Sequence, residues 1–196
     1  MVQVDAELDQ LEDGALMVLY ANGDQGAARV LTGRLLPRVL SHATRVLGDR
    51  AEAEDVAQEA MLRLWRAAAD WRSDGAARPG TWLYRVTANL IVDRLRRSGR
   101  AVGLDTVAEP ADDAESAEAG LMRQGRMAAL DAALARLPER QRQAVVLRHI
   151  EGVSNPEIAA VLDISVEAVE SLTARGKRAL AVALAGQKEA LGYGDG

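Results

Sequence analysis

Ser154-Asn155-Pro156-Glu157-Ile158-Ala159-Ala160-Val161-Leu162-Asp163-Ile164-Ser165-Val166-Glu167-Ala168-Val169 is the stretch on which the reading of this chain turns. Ser154 and Glu157 have the spacing of a capping box, and Pro156 is tolerated in a first helical turn. Ile158, Ala159 and Leu162 fall on one narrow apolar face, where the small Ala159 lets a second helix come close. Asp163-Ile164 is a tight turn with an apolar plug, and Ser165 can cap the helix that follows. Val169 and Leu172 then face back onto the first helix. Two short helices over such a turn are the pattern of a helix-turn-helix, whose second helix can enter the major groove of DNA. An ordinary helical hairpin has the same apolar spacing. If the second helix meets DNA, Arg175, Lys177 and Arg178 suit phosphates or a guanine edge, and Ser171 and Thr173 suit several bases. Glu167 and Glu170 must accept from cytosine amino groups or lower the affinity.

Helical spacing also dominates outside this stretch, and no segment alternates as a strand does, so the expected fold class is all-α. Leu16 and Leu19 belong to a short opening helix that breaks at Gly23-Asp24. Leu31 and Leu35 carry the pattern to Pro37, which suits the first turn of a new helix better than the middle of an old one. That next helix, with Leu40 and Leu47, ends at Gly48 as a left-handed cap. A helix of about 18 residues follows from Ala51, with Val56, Ala60, Met61 and Leu64 inward. Residues 71–80 read as a loop, and Trp82 to Arg97 as a helix burying Leu83, Val86, Leu90 and Leu95. Met127, Leu130, Leu134 and Leu137 share a helical face that ends at Pro138. A further helix carries Val145, Val146 and Ile150 to Gly152.

The 196 residues carry a formal net charge of −5, which taken alone argues against a nucleic-acid partner. The charge is not evenly spread. Residues 1–13 sum to −5 and residues 104–118 to −6, whereas residues 14–103 sum to +5 and residues 119–186 to +2. Blocks of one sign mark solvated tails and linkers. The expected organisation is therefore an acidic N-terminal tail (1–13), a small helical domain (14–100), a flexible acidic linker (101–120), a second small helical domain ending in the helix-turn-helix (121–186) and a short tail (187–196). Between residues 81 and 100, Arg85, Arg94, Arg96, Arg97 and Arg100 face only Asp93, a basic stretch that tilts toward nucleic acid.

Several chemistries are excluded. With no Cys there is no disulfide scaffold, thiolate zinc site, iron–sulfur cluster or Cys nucleophile, and any thiol-based redox sensing must reside in a partner. His42 and His149 are too few for a multi-histidine metal centre and read as helix-surface or boundary residues. No phosphate-binding Gly-Lys loop and no Ser/His/Asp signature is present, so neither an enzyme nor a cofactor is expected. No apolar run approaches a membrane span and the acidic start does not suit a signal peptide, which points to a soluble cytoplasmic protein without membrane insertion.

With these residues assembled, the chain resembles the extracytoplasmic-function (ECF) sigma factors of bacterial RNA polymerase. One part of the match runs from Leu47-Gly48-Asp49-Arg50 through Asp55-Val56-Ala57-Gln58-Glu59 and Leu62-Arg63-Leu64-Trp65 to Thr81-Trp82-Leu83-Tyr84-Arg85, Asn89 and Asp93-Arg94-Leu95-Arg96-Arg97. The other runs from Leu137-Pro138-Glu139-Arg140-Gln141-Arg142 through the helix-turn-helix. The resemblance implies that the first domain (sigma region 2) reads the promoter −10 element, and that Asp55, Gln58 and Glu59 dock on the β′ clamp helices of core polymerase. It implies that Trp71 and Tyr84 offer rings to extruded bases, that Arg85, Asn89, Arg94, Arg96 and Arg97 hold the strand, and that the loop 72–80 receives a flipped base. Trp82 reads better as core. The second domain (sigma region 4) would meet the polymerase β flap and read the −35 element with Glu170, Ser171, Thr173, Arg175, Lys177 and Arg178. The linker would thread the RNA-exit path, and an anti-sigma factor would hold the protein inactive. Two positions depart from the family pattern. Pro79-Gly80 stands where an aromatic usually precedes Thr-Trp-Leu, and Glu170 and Leu172 stand where Lys and Arg are usual, so the usual −35 sequence is not implied. A free-standing helix-turn-helix regulator, binding DNA without polymerase, is the alternative, and it predicts tight, salt-sensitive duplex binding by the chain alone.

Overall fold

The computed structural model describes residues 7–72, 78–97, 99 and 117–185, the last stretch with side chains from 124 onward. Among them every regular element is helical: α1 (Asp13–Ala21), α2 (Gln25–Leu47), α3 (Arg50–Ala67), α4 (Pro79–Arg97), α5 (Ala117–Ala135), α6 (Glu139–Val145), α7 (Asn155–Leu162) and α8 (Val166–Ala185). A 3₁₀ turn, Ala68–Asp70, extends α3, and a wide π-turn, Val146–Ile150, extends α6.

The helix boundaries follow local chemistry. Asp24 caps α2 by accepting from the amides of Gly26 and Ala27 at 2.8 and 3.2 Å, and Asp49 caps α3 by accepting from Glu52 N at 3.0 Å. Gly48, at φ 68, closes α2 in the left-handed region, where a Cβ is strained. Asp163 makes the turn of the helix-turn-helix at φ 53 and ψ 54, a conformation that Asp tolerates better than most residues. Ser165 Oγ accepts from Ala168 N at 3.2 Å and starts α8.

Three expectations are corrected. Pro37 does not begin a new helix but lies inside the 23-residue α2. It is exposed, while Leu31, Leu35, Val39, Ala43 and Val46 continue one buried stripe on both sides of it. An interior proline costs about 3 kcal/mol, and each fully buried large apolar side chain contributes about 1.5–3 kcal/mol, so the stripe outweighs it. The acidic N-terminal segment is not a free tail from Glu7 onward. Leu8 is buried, and Arg34 donates to the carbonyls of Asp9 and Leu11 at 2.6 and 2.8 Å and to Asp13 Oδ1 at 2.9 Å. Finally, α5 starts at Ala117, so the end of the expected linker is helical. The rest of that linker (101–116), residues 1–6, the loop residues 73–77 and the tail 187–196 lie outside the described residues.

The two halves pack against each other. One apolar cluster joins Leu16, Met17, Leu31, Leu64 and Leu83 of the first half to Leu147, Ile158, Val161 and Val169 of the second. Another joins Ala43, Val46, Val56 and Ile91 to Leu134, Leu137, Val145 and Val146. Arg142 pins this seam, donating to Val46 O and Ala135 O at 2.6 Å and to Leu137 O at 3.1 Å. The Val46 and Ala135 carbonyls lie at helix ends, where carbonyls lack intrahelical partners.

Candidate nucleic-acid and protein-docking surfaces

Helix α8 presents its polar side to solvent. Glu170, Ser171, Arg175, Lys177 and Arg178 are all exposed, whereas Val169, Thr173 and Gly176 are buried. Arg175 folds back on Ser171, donating to its Oγ at 2.7 Å, so the pair forms one polar unit on the outward stripe. Thr173 departs from the sequence reading. It is 9% exposed, and its hydroxyl donates to Val169 O at 2.9 Å, so it packs the inner side of α8 and does not face a groove. The next inward position is Gly176, where a Cβ would stand 2.5 Å from Val145 Cγ2. A side chain there would push α8 off α6. Glu167 belongs to the first turn of α8, where its own amide and then the Ser165 hydroxyl hold its carboxyl below the usual range.

Helix α4 divides its functional candidates between two sides. Arg85, Asn89, Arg96 and Arg97 are exposed, and Arg96 lies 3.6 Å from Asp93. Arg94 turns toward α3 and pairs with Glu52 at 2.7 Å and Asp55 at 3.6 Å, so it ties α4 to α3 in this conformation. Tyr84, expected to offer its ring, is 3% exposed. Its hydroxyl donates to Glu151 Oε2 at 2.9 Å, and burial, followed by the Glu151 charge, pushes that hydroxyl above the usual tyrosine range. Arg38 lies 5.6 Å from the centre of the Tyr84 ring. Trp71 and Trp82 are half-buried and meet edge to face with centroids 6.2 Å apart, consistent with Trp82 as a packing residue. Val86, Leu90 and Leu95 are only partly buried, and Leu83, Tyr84, Thr87, Ala88 and Ile91 form the inward stripe instead.

On α3, Asp55 and Gln58 are exposed and Glu59 is half-exposed. Arg63 donates to Glu59 Oε1 at 2.8 Å, which holds that carboxyl below its usual range. Leu62, 43% exposed, continues the same side one turn on. An apolar residue amid carboxylates and an amide suits a protein partner better than solvent. In the sequence Leu62 stands only within the stretch that resembles the sigma factors, with neither a core nor a docking role expected of it.

The histidines divide. His149 is exposed, as expected. His42 is not a surface residue. It is fully buried on α2 with neither ring nitrogen hydrogen-bonded, 5.7 Å from the Tyr84 ring centre, and burial lowers its pKa to about 3. Its position on α2 faces Tyr84 of α4, a tertiary fact that helix periodicity alone does not contain. No helix among the described residues is long and apolar enough to cross a membrane.

Comparison with known proteins assigns both halves. Residues 31–101 match Sigma-70 region 2 and residues 127–180 match Sigma-70, region 4. The chain is 34% identical over 187 residues to the RNA polymerase sigma-H factor of Pseudomonas aeruginosa, a match covering 90% of this chain and 96% of that protein. It is 31% identical over 184 residues to the ECF RNA polymerase sigma-E factor of Escherichia coli, covering 88% of this chain and 94% of the other. Among solved structures, CnrH in complex with the cytosolic domain of CnrY superposes with a TM-score of 0.65 at 29% identity, covering 89% of this chain and 97% of that one.

Proposed function

The chain belongs to the ECF sigma factors, alternative sigma factors that direct promoter recognition by RNA polymerase, and from that premise we propose which of its surfaces performs each step. The free-standing regulator gives way, because the relatives match both halves in order and not the helix-turn-helix alone. The exposed side of α3, with Asp55, Gln58, Glu59 and Leu62, docks on the β′ clamp helices of core polymerase. Its carboxylates and amide can pair with cations on a partner helix around the apolar contact of Leu62. The outward side of α4 holds the melted −10 strand through Arg85, Asn89, Arg96 and Arg97, with Arg94 joining once its pairing to α3 is exchanged. Opened DNA needs cations along its backbone and flat surfaces for its bases. The outward side of α8 enters the −35 major groove, with Ser171 and Arg175 toward base edges and Lys177 and Arg178 toward phosphates. The second half contacts the β flap.

The observation that carries this reading is the exposure of three separate polar sides, on α3, α4 and α8, each within a matched sigma region. The protein performs no covalent chemistry, and it works in the cytoplasm with the polymerase. As CnrH is bound by the cytosolic domain of CnrY, a protein anti-sigma partner seizes this chain too. The test is run-off transcription from genomic fragments with core polymerase. The chain should initiate at specific sites with core enzyme and bind the same fragments weakly alone. Asp55→Ala should lose core affinity while keeping its melting temperature, and an undiminished pull-down of core enzyme would remove Asp55 from the docking surface.

A further inference from the structure

Glu170 is an acid on the exposed side of α8, among side chains suited to DNA. Val169, Thr173 and Gly176 are buried, which at about 100° per residue turns the line through Ser171, Ala174 and Arg178 outward. All three are exposed. Glu170 stands on one flank of that line and Arg175 on the other. Arg175 is held onto the line, its Nε donating to Ser171 O at 3.3 Å and its Nη2 to Ser171 Oγ at 2.7 Å. Its guanidinium therefore stands at the level of Ser171, the next residue in the chain after Glu170. One turn of the helix thus offers a cationic donor and an anionic acceptor together.

The two acids of α8 differ. The Glu167 carboxyl is engaged by its own amide and then by the Ser165 hydroxyl. Among the described residues no hydrogen bond or ion pair engages the Glu170 carboxylate. Glu167 precedes it by three residues and Ala174 follows it by four, so neither helical neighbour supplies a cation. The basic groups gather further along. Lys177 and Arg178 lie toward the other end of α8, and Arg148 and His149 of the π-turn are exposed near Lys177. Partial burial, then the Lys177 and Arg148 charges, lower the pKa of His149. Phosphate suits that end.

We propose that Glu170 is a specificity-determining residue for the −35 element, accepting from the amino group of a cytosine beside the guanine that Arg175 reads. The inference rests on α8 as the −35 helix. A groove helix meets base edges with its N-terminal turns, and Glu170 lies in the second turn of α8. A carboxylate only accepts. In the major groove guanine offers N7 and O6 and thymine offers O4, all acceptors, and adenine sets the acceptor N7 beside its amino group. Cytosine alone offers a donor with no acceptor next to it. Glu170 therefore welcomes cytosine and repels the other bases, which lowers affinity for wrong sites and sharpens choice.

The test is selection from a fully randomised duplex library by holoenzyme assembled from core polymerase and the full chain, with the bound pools sequenced. Wild type should enrich cytosine at one position of the upstream element. Replacing that cytosine by thymine should weaken holoenzyme binding about tenfold. Glu170→Ala should lose the preference at that position alone. Glu170→Gln, with one acceptor and one donor group, should move it to adenine, a change of base that a merely structural role would not produce. Both variants should keep the helicity of wild type, because Glu170 is exposed. Preferences unchanged in both variants would overturn the inference. So would tighter binding of Glu170→Ala to all sequences alike, which would make Glu170 a repulsive charge without choice. Arg175→Ala is selected in parallel. A guanine preference lost in Arg175→Ala, with no position altered by Glu170→Ala, would sink the role of Glu170 and keep α8 as the groove helix. No position altered by either variant would sink both.

Discussion

Helices α4 and α8 are both long and both carry arginines on one side, yet they meet solvent differently. On α8 the polar candidates lie together on one outward stripe, and the inner side is packed by Val169, Thr173 and Gly176 against its own half. On α4 they are divided: Arg85 and Asn89 point out, Arg94 is paired to α3, and Tyr84 and Thr81 bond to carboxylates of the other half. A duplex reader needs only a rigid helix with a free side, because the groove presents base edges without rearrangement. A strand holder needs surface on which bases can stack, and such apolar surface is costly to leave in water. Here the Thr81 and Tyr84 side of α4 is covered by the second half. On the proposed assignment, the side of α8 meant for the duplex is wholly open, whereas α4 is open on one side and covered on the other.

The largest expected effect tests the inner side of α8. Gly176→Ala should destabilise the protein by about 1–3 kcal/mol, the usual range for overpacking, because its Cβ would lie 2.5 Å from Val145 Cγ2. An unchanged urea midpoint would show that α8 does not lean on α6 there. The second concerns the buried side of the α4 contact. His42 has a folded pKa of about 3 against 6.5 when solvated, so the unfolded chain takes up a proton that the folded chain refuses. Stability is complete above 6.5 and falls toward pH 3, by about 1.4 kcal/mol per unit, or about 2 kcal/mol at about pH 5. Glu59 and Glu157, with lowered carboxyl pKa values, act at more acid pH, while His149, lowered by partial burial and by the charges of Lys177 and Arg148, adds to the loss in the same window, so His42→Leu should make the profile between about pH 5 and 6.5 shallower without levelling it. A profile parallel to wild type would assign the loss elsewhere.

Third, Arg175→Ala should weaken duplex binding by the holoenzyme about fivefold and lower its salt slope by about one if the side chain reaches phosphate. Arg85→Ala should leave that duplex step alone and slow promoter opening, measured by permanganate footprinting. Equal effects of both substitutions on both steps would erase the distinction between the helices. The smallest effect is expected for Thr173→Val, at less than about 1 kcal/mol of stability and with no change in −35 preference. Altered promoter choice by that variant would return Thr173 to the reading surface.

Much of this was legible in residue order because it depends on local chemistry. Gly48 as a left-handed cap, the Ser154–Glu157 start of α7, the turn at Asp163 and the buried stripe Val56, Ala60, Met61 and Leu64 each depend on residues within a few turns of one another. The misreadings share an opposite origin. Pro37 disturbs a helix locally, and only the buried contacts of the stripe opposite it keep α2 continuous through it. Thr173 looks polar in sequence, but α8 has to turn some side toward α6, and a hydroxyl bonded to its own helix can be buried there. Leu8 is surrounded by acids that mask it in a charge count, and it is buried in an apolar cluster with residues far along the chain. The exposure of Leu62, on the side of α3 proposed for docking, likewise depends on what α3 packs against.

By itself the sequence determined that this protein is helical, that its acidity is concentrated in two blocks, and that α7 and α8 form a helix-turn-helix. Periodicity, caps and charge blocks are written in neighbouring residues. Only the tertiary structure decided that the two halves share a core, that Glu151 reaches Ser41 and Tyr84, and that α4 is half covered while α8 is not. Those outcomes depend on which surfaces meet across 67 to 110 residues of chain. Burial, which sets their energies, is a property of the meeting and not of either surface.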